Sequence, residues 1–423
     1  YYYNGFDFGF ASELKGIVNM CSTVPFEVDN TAVYDYLYFL YIPEPKSYYK
    51  NVYKLMPGHR LTFDIRNRRI VKNSAYWKLR VNDCQGGQRK QSDLIEELRC
   101  LVKESVREQM IADVPVGTFL SGGVDSSITT YEAFRRNPKL ETFSMDFADS
   151  RYSEFRYAKE LGERYQIHMN SRVFTRSIFR QHYSQLKDWY DEPFADTSAF
   201  PTYLVSEMAK KKVTVALTGD GGDEVFGGYG RYQLIWQKQK ENGPDVPLLS
   251  VLYNKWKKDS SKDYFWLDDL TLVSGMYKGS SGMDDKKIRK SLNIDNDYDV
   301  RDFIRNYYIK DLPPITRMQY LDFKTYLPGD ILAKVDRVSM AVSLETRVPL
   351  LSKKLIEFSF SLSEEDRCPN GGLKGLLKKA YEDEIGKNIM YRQKMGFGMP
   401  KAYFKGKKNP QEYILKDIWN IMK

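Results

Sequence analysis

Cysteine and histidine are scarce in these 423 residues: four cysteines (Cys21, Cys84, Cys100, Cys368) and three histidines (His59, His168, His182) are all there is. No two cysteines stand in C-x-x-C spacing and none clusters with a histidine, so the signatures of a zinc site and of a disulfide scaffold are both missing. There is no run of about 18 uninterrupted apolar residues and no charged-then-apolar leader. Neither a membrane span nor a signal peptide is supported, and the compartment these absences predict is cytoplasmic. Internal repeats, low-complexity tracts and the Gly-Lys-Ser/Thr ending of a P-loop are absent too. The 65 basic and 56 acidic residues leave a net +9, but no compact basic block carries it. That excess reads as solubility or diffuse attraction, not as a nucleic-acid footprint. With 42% hydrophobic residues, what remains is a globular chain long enough for two or three domains.

Residues 1–80 hold short alternating segments and turns, with an Asn-Gly signal in "YYYNGFDFGFAS" and a Pro-Gly turn followed by a hairpin in "KLMPGHRLTFDIRNRRIVKNSAYWKL". This part is expected to be β-rich. Residues 81–92 are polar with Gly86-Gly87 and read as a linker, and from Asp93 the pattern turns helical, with Ser92 as its N-cap. Strands and helices then alternate: "VGTFL", "SITTYEAFRR", "ETFSMDF", "YSEFRYAKELGERY", "PTYLVSEMAKKK" and "VTVAL" in order. Such alternation predicts an α/β fold, a parallel sheet with helices on both faces, over 93–423. The stretch 233–310 gives no sheet signal and is expected to add helices and loops.

Two glycine-rich loops follow strands. In an open parallel sheet, ligands sit beyond the carboxyl ends of the strands, where a helix N-terminus favours an anion. "SGGVDSS" (121–127) occupies such a place: glycines let backbone approach a phosphate, serines add donors, and Asp125 beside phosphate implies an intervening cation such as Mg²⁺. A glycine-rich turn without a ligand has the same composition. The second loop, "TGDGGDEVFGGYGRY", carries Asp220, Asp223 and Glu224 among glycines. Packed carboxylates repel without a metal or a proton, so a metal–phosphate site is the economical reading, with a solvated acidic loop as the alternative.

"SGGVDSS" matches the loop signature of the ATP pyrophosphatases, which cleave ATP between its α and β phosphates. With it, "LTGDGGDEVFGGYGRY", "KVDRVSMAVSLETRVPLL", "RQKMGFGMP" and, upstream, "FASELK" and "KLMPGHRLTFD…YW" resemble the glutamine-dependent asparagine synthetases, in family order and over nearly the whole chain. The resemblance implies a β-rich remnant of an N-terminal-nucleophile glutaminase domain followed by an ATP-pyrophosphatase synthetase domain. It implies ATP and Mg²⁺ as cofactors, with Asp125 and Asp223 holding the metal and Ser121, Gly122, Gly123, Ser126 and Ser127 cradling pyrophosphate. Leu120 and Met145 would line the adenine site, with Thr218 and Gly219 near the nucleotide. Asp220 would position the intermediate and take a proton from attacking ammonia, and Lys394 would neutralise the departing pyrophosphate.

Thr197 and Ser198, in "DEPFADTSAFPTYL", fall where the family binds its acid, with an ordinary helix N-cap equally in view. Arg337, Glu345 and Arg347 read as a buried structural Glu-Arg pair rather than as substrate contacts. Two positions depart from the family: Ser352 stands where aspartate is frequent and Asp146 where glycine is. The implied reaction adenylates a carboxylate, aspartate first among candidates, and transfers ammonia to it. Sugar acids and other carboxylates remain alternatives, as does a tRNA-modifying pyrophosphatase, although the basic face and catalytic cysteines of the latter are not evident. The resemblance leaves a homodimer open and includes no nucleic-acid or membrane partner. Its glutaminase half begins at a catalytic cysteine, whereas this chain begins at Tyr1, so no glutamine hydrolysis is expected from it. Ammonia would come from a glutaminase domain missing here or from solution, and a fragment of a longer enzyme is the preferred reading because a half-domain exposes strand edges.

Overall fold

The computed structural model describes residues 1–81, 89–242, 285–395, 399–404, 414 and 418–419. Most of the expected linker and the middle of 233–310 lie outside the described residues. The chain opens with an antiparallel pair, β1 (Tyr2–Tyr3) and β2 (Phe8–Gly9), closed by Asn4, whose Oδ1 accepts from the Phe6 and Asp7 amides at 3.0 and 2.7 Å. The expected hairpin is β3 (His59–Asp64) with β4 (Arg69–Ala75). Between them lie two helices, Leu14–Met20 and Asn30–Phe39, which correct the β-rich expectation. The second is specified by Asp29, whose side chain accepts from the Thr31 and Ala32 amides. Its Tyr34, Tyr36 and Leu37 share one apolar cluster with Phe143 and Phe200, so this first unit is packed onto the rest of the chain.

The remainder is built on a five-stranded, all-parallel sheet of order β7-β6-β5-β8-β9. The strands are β5 (Val116–Phe119), β6 (Glu141–Phe147), β7 (Met169–Phe174), β8 (Val215–Leu217) and β9 (Glu345–Arg347). One face is covered by the cluster containing Phe143, Phe174, Phe200 and Leu204. The other is covered by a second cluster in which the helix Gln91–Gln109 contributes Leu94, Leu98, Val102 and Val106, one helical stripe at four-residue spacing. That helix begins one residue before Ser92. Lys90 holds the N-cap position and Ser92 bonds Asp93 instead, at 3.0 Å, correcting the expected cap. Strands β7 and β9 were not anticipated: β7 alternates with polar residues, and β9 has only three residues, two of them charged.

The chain passes from β5 to β6 and β7 on one side, then returns to place β8 on the other side of β5. The strand order reverses between β5 and β8, which makes their carboxyl ends the switch-point crevice where α/β sheets hold ligands. Behind it, the helical run from Pro314 to Met340 is interrupted by a π-type turn, Leu327–Leu332, which contains Pro328. Pro328 lacks the N–H of a regular α-helix, and widened turns of this kind often mark functional sites. Among the described residues, no helix is long and apolar enough to cross a membrane.

Candidate active site

Strand β5 ends at Phe119, and Leu120, fully buried, donates its amide to the Phe143 carbonyl at 2.9 Å. The chain then turns at Gly122 (φ +78°), where a Cβ would stand 2.7 Å from the Ala158 nitrogen, so only glycine fits. Ser121 and Ser126 join through their hydroxyls at 2.9 Å, and the Gly123 amide donates to Ser121 Oγ at 3.2 Å, closing the loop on itself. Gly123 then opens the helix Val124–Arg136 with no side-chain cap, leaving the amides of its first turn directed at the crevice. Inside that turn Ser127 Oγ is buried without a partner among the described residues. The loop after β8 presses against it: a Cβ on Gly219 would lie 2.6 Å from the Ser126 nitrogen, and one on Gly222 would lie 2.4 Å from Asp125 Oδ1.

Asp125 and Asp223 meet where the loops touch, on a lysine that the sequence reading did not single out. Lys374 Nζ bonds Asp125 Oδ2 and lies 2.6 Å from Asp223 Oδ1, while Lys394 Nζ bonds Asp223 Oδ2. Lys374 is almost completely buried, whereas the Lys394 side chain is 42% exposed and sits 4.4 Å above the Tyr229 ring. Burial works against the charge on Asp223, but the two ammonium groups outweigh it and hold the carboxyl below the ordinary range. For Asp125 the balance falls the other way: burial pushes it up despite Lys374. Burial likewise disfavours the Lys374 cation, yet its two carboxylates raise it above the ordinary lysine value. Asp125 Oδ1 stays buried without a hydrogen-bond partner among the described residues.

That orphaned oxygen bears on the expected Mg²⁺. Among the described residues no group of three histidine, cysteine or acidic side chains is placed to hold a metal. Mg²⁺, however, is commonly held by one or two carboxylates with substrate phosphates and water completing its shell. Asp125 and Asp223 beside a free helix N-terminus fit that mode. The packing is tight enough to test. A methyl group at Gly228 would stand 1.9 Å from Asp223 Oδ1 and 2.1 Å from Lys374 Cε, while one at Gly230 meets nothing within 4 Å. Gly228→Ala is therefore expected to cost about 1–3 kcal/mol in urea unfolding, and Gly230→Ala much less.

A second buried cluster lies alongside. Lys334 Nζ bonds Asp196 Oδ2 at 3.0 Å; burial disfavours its cation, but Asp196, Asp330 and Asp220 outweigh it and hold the ammonium above the ordinary lysine value. Asp196 also accepts from the Ser198 amide at 2.8 Å and from its hydroxyl at 2.7 Å. Asp330, in the π-type turn, is buried with Oδ1 unpartnered among the described residues, and burial followed by the Asp196 charge holds it strongly toward the neutral acid. Asp220, half-buried, is also pushed up by burial, with Lys334 pulling the other way.

The asparagine synthase family model matches residues 97–419. This chain belongs to the asparagine synthase family. A glutamine amidotransferase domain model matches residues 1–77. Over 402 residues, 92% of the chain, it is 33% identical to asparagine synthetase [glutamine-hydrolyzing] 1 of Bacillus subtilis, covering 62% of that protein. A putative asparagine synthetase of Mycobacterium tuberculosis is 30% identical over 92% of the chain and 61% of its own length. Another, from Methanocaldococcus jannaschii, is 42% identical over 54% of the chain and 44% of its own length. The chain thus spans about three-fifths of the first two relatives.

In this asparagine synthase fold the remaining predicted residues are placed as follows. Met145 is buried in the cluster on one face of the sheet and Leu120 in the other. Thr218 is buried, its amide donating to the Arg347 carbonyl at 2.8 Å, and Gly219 touches the first loop. Ser198 stands at the N-cap of Ala199–Lys210 but makes no side-chain cap, its hydroxyl being taken by Asp196; Thr197 is half-buried. Glu345 is exposed, which corrects the expected buried pair. Arg347 reaches it at 2.6 Å and also ties down the carbonyls of Gln109 and Ile111. Arg337 pairs with Glu13 at 3.1 Å, joining the two units. Ser352 caps Lys353–Ser361, a task the family's aspartate would also perform, and Asp146 accepts from Ser153 at 2.5 Å.

Proposed function

We propose that this chain is the ATP-dependent half of an asparagine synthetase-type amide ligase: it adenylates a carboxylate, first of all the side chain of aspartate, and transfers ammonia to give the amide, AMP and pyrophosphate. The observation that carries this reading is the convergence of Lys374 and Lys394 on Asp125 and Asp223 at the crevice between β5 and β8. A carboxylate resists attack by ammonia until one oxygen is made a good leaving group, and transfer of AMP does this. Asp125 and Asp223 would hold Mg²⁺, which when bound supplies charge neutralisation on the phosphates. The free amides of the helix Val124–Arg136 and the hydroxyls of Ser121, Ser126 and Ser127 bind the phosphate oxygens, while Lys374 and Lys394 stabilise charge as pyrophosphate departs.

Asp220 stands on the other side, next to the Lys334 cluster. Its raised proton affinity suits it to accept the proton that ammonia loses as the amide bond forms. The names of the relatives favour aspartate as the acid and glutamine as the ultimate nitrogen source. Residues 1–77 match a glutamine amidotransferase domain model, which supports glutamine as the origin of the ammonia that the synthetase site consumes. The test is to incubate the protein with ATP, Mg²⁺ and ammonium, add aspartate or a panel of sugar acids and other carboxylates, and measure pyrophosphate and AMP. Aspartate-dependent release, lost in Asp125→Ala, is expected. Release with another acid alone corrects the substrate, release with transfer RNA alone replaces the reading, and no acid-dependent release overturns it.

A further inference from the structure

Behind the serine-glycine loop lies an open groove of about 580 Å³ lined by Arg156, Tyr157, Lys387, Asn388, Tyr391 and Arg392. Arg392 lines the groove and touches the loop. Its Nε donates to the Gly122 carbonyl at 3.0 Å, its Nη1 pairs with Glu154 at 2.5 Å, and its Nη2 stands 3.8 Å from where a Cβ on Gly123 would be. The charge of Arg392 is therefore already balanced. Arg156 and Lys387 are different: both are exposed, and among the described residues neither forms an ion pair. Glu160, the acid at the rim, is engaged by Arg164 at 3.6 Å. The groove thus presents two exposed cations without a close ion pair among the described residues, Glu382 acting on Lys387 only at longer range. Between them, the guanidinium groups of Arg156 and Arg392 lie 4.6 and 4.7 Å from the centre of the Tyr157 ring, which fixes Arg156 at the rim.

We propose that this groove is an outer anion site through which the inorganic pyrophosphate product leaves the loop, Arg156 and Lys387 receiving it after it parts from Lys374 and Lys394. This rests on the proposed function, which places pyrophosphate on the inner face of the same loop. The physical need is plain. A multiply charged anion leaving two lysines and a ring of amides escapes faster if partial neutralisation is offered along the way, because local cations raise its concentration at the mouth. Exposed cations are suited to a transient stop, since each contributes little binding and is screened by salt.

The probe is magnesium pyrophosphate, titrated calorimetrically into the intact protein at low and at high salt. Two classes of binding are expected, the weaker one salt-sensitive. In Arg156→Glu/Lys387→Glu the weaker class is expected to fall by about tenfold or more with the tighter class unchanged, and product inhibition by pyrophosphate is expected to change in its rate of relief. A double variant whose weaker class is intact, or a native protein with a single class, overturns the groove. Loss of the tighter class in Lys374→Met, with the groove class retained, separates the two sites. A native protein with no tight class overturns the inner site and the proposed function with it. A uniform surface effect is excluded by Lys103→Glu/Lys139→Glu, which is expected to leave both classes unchanged; a loss of the weaker class there overturns the proposal.

Discussion

Replacing Lys374 by methionine is expected to lower acid-dependent pyrophosphate release by about a hundredfold to a thousandfold and to cost about 3–5 kcal/mol of stability. The two effects have one origin. Lys374 is the buried cation between Asp125 and Asp223, and truncating one member of such a group strands the others. The methionine keeps the stem that packs against Gly228, so the loss comes from charge rather than from a cavity. Lys394→Met supplies the contrast. That side chain is 42% exposed, so its stability cost is expected to stay below about 1 kcal/mol, whereas its rate loss is expected to remain large if, as proposed, it neutralises the same departing group. Urea unfolding with pyrophosphate release, measured on the folded fraction, checks both. A Lys374→Met enzyme with normal turnover would remove that lysine from the reaction.

Why one lysine was legible and the other was not has a physical explanation. Lys394 stands in a recognisable segment, "RQKMGFGMP". Lys374 is a single basic residue in "NGGLKGLL", 249 positions from Asp125, and nothing local distinguishes it from a surface cation. The two glycine loops were legible because strand, glycine, carboxylate and helix follow each other in sequence, and local order fixes their place at the strand ends. Strand β9 was not, since three residues gain their extended form only by pairing with β8. The helix Asn30–Phe39 was hidden for a different reason: "NTAVYDYLYF" is rich in residues that favour strands, and the Asp29 cap together with burial against the synthetase core outweighs that preference. The Lys334 cluster did leave a signal. Asp330 and Lys334 are four apart in "GDILAK", flanked by apolar residues, which on a buried helix means a charged pair in need of partners.

Lys334→Met is expected to be the other variant of large effect, and its pH dependence identifies the cause. Lys334 is the cation against which Asp196, Asp330 and Asp220 are balanced. Asp196 is held below its ordinary range even though burial opposes its charge, because Lys334 and the Ser198 amide outweigh the burial. A group depressed in the folded state contributes stability above its unfolded value, and that contribution is lost as pH falls through the folded value. Without Lys334 this contribution goes, and Asp196 joins Asp330 and Asp220 as an acid that the fold prefers neutral. Such raised groups stabilise the fold at low pH and oppose it as pH rises. The deficit of the variant is therefore expected to be about 3–5 kcal/mol near pH 8 and to shrink toward pH 5, the direction opposite to an ordinary acid-sensitive loss. Asp330→Asn added to Lys334→Met removes one ionisable carboxyl from the cluster and is expected to restore about 1–2 kcal/mol at pH 8, with little restored at pH 5. Urea unfolding of the native protein, Lys334→Met, Asp330→Asn and the double variant at both pH values measures the cycle. Equal deficits at the two values would mean that Lys334 acts by packing rather than by charge.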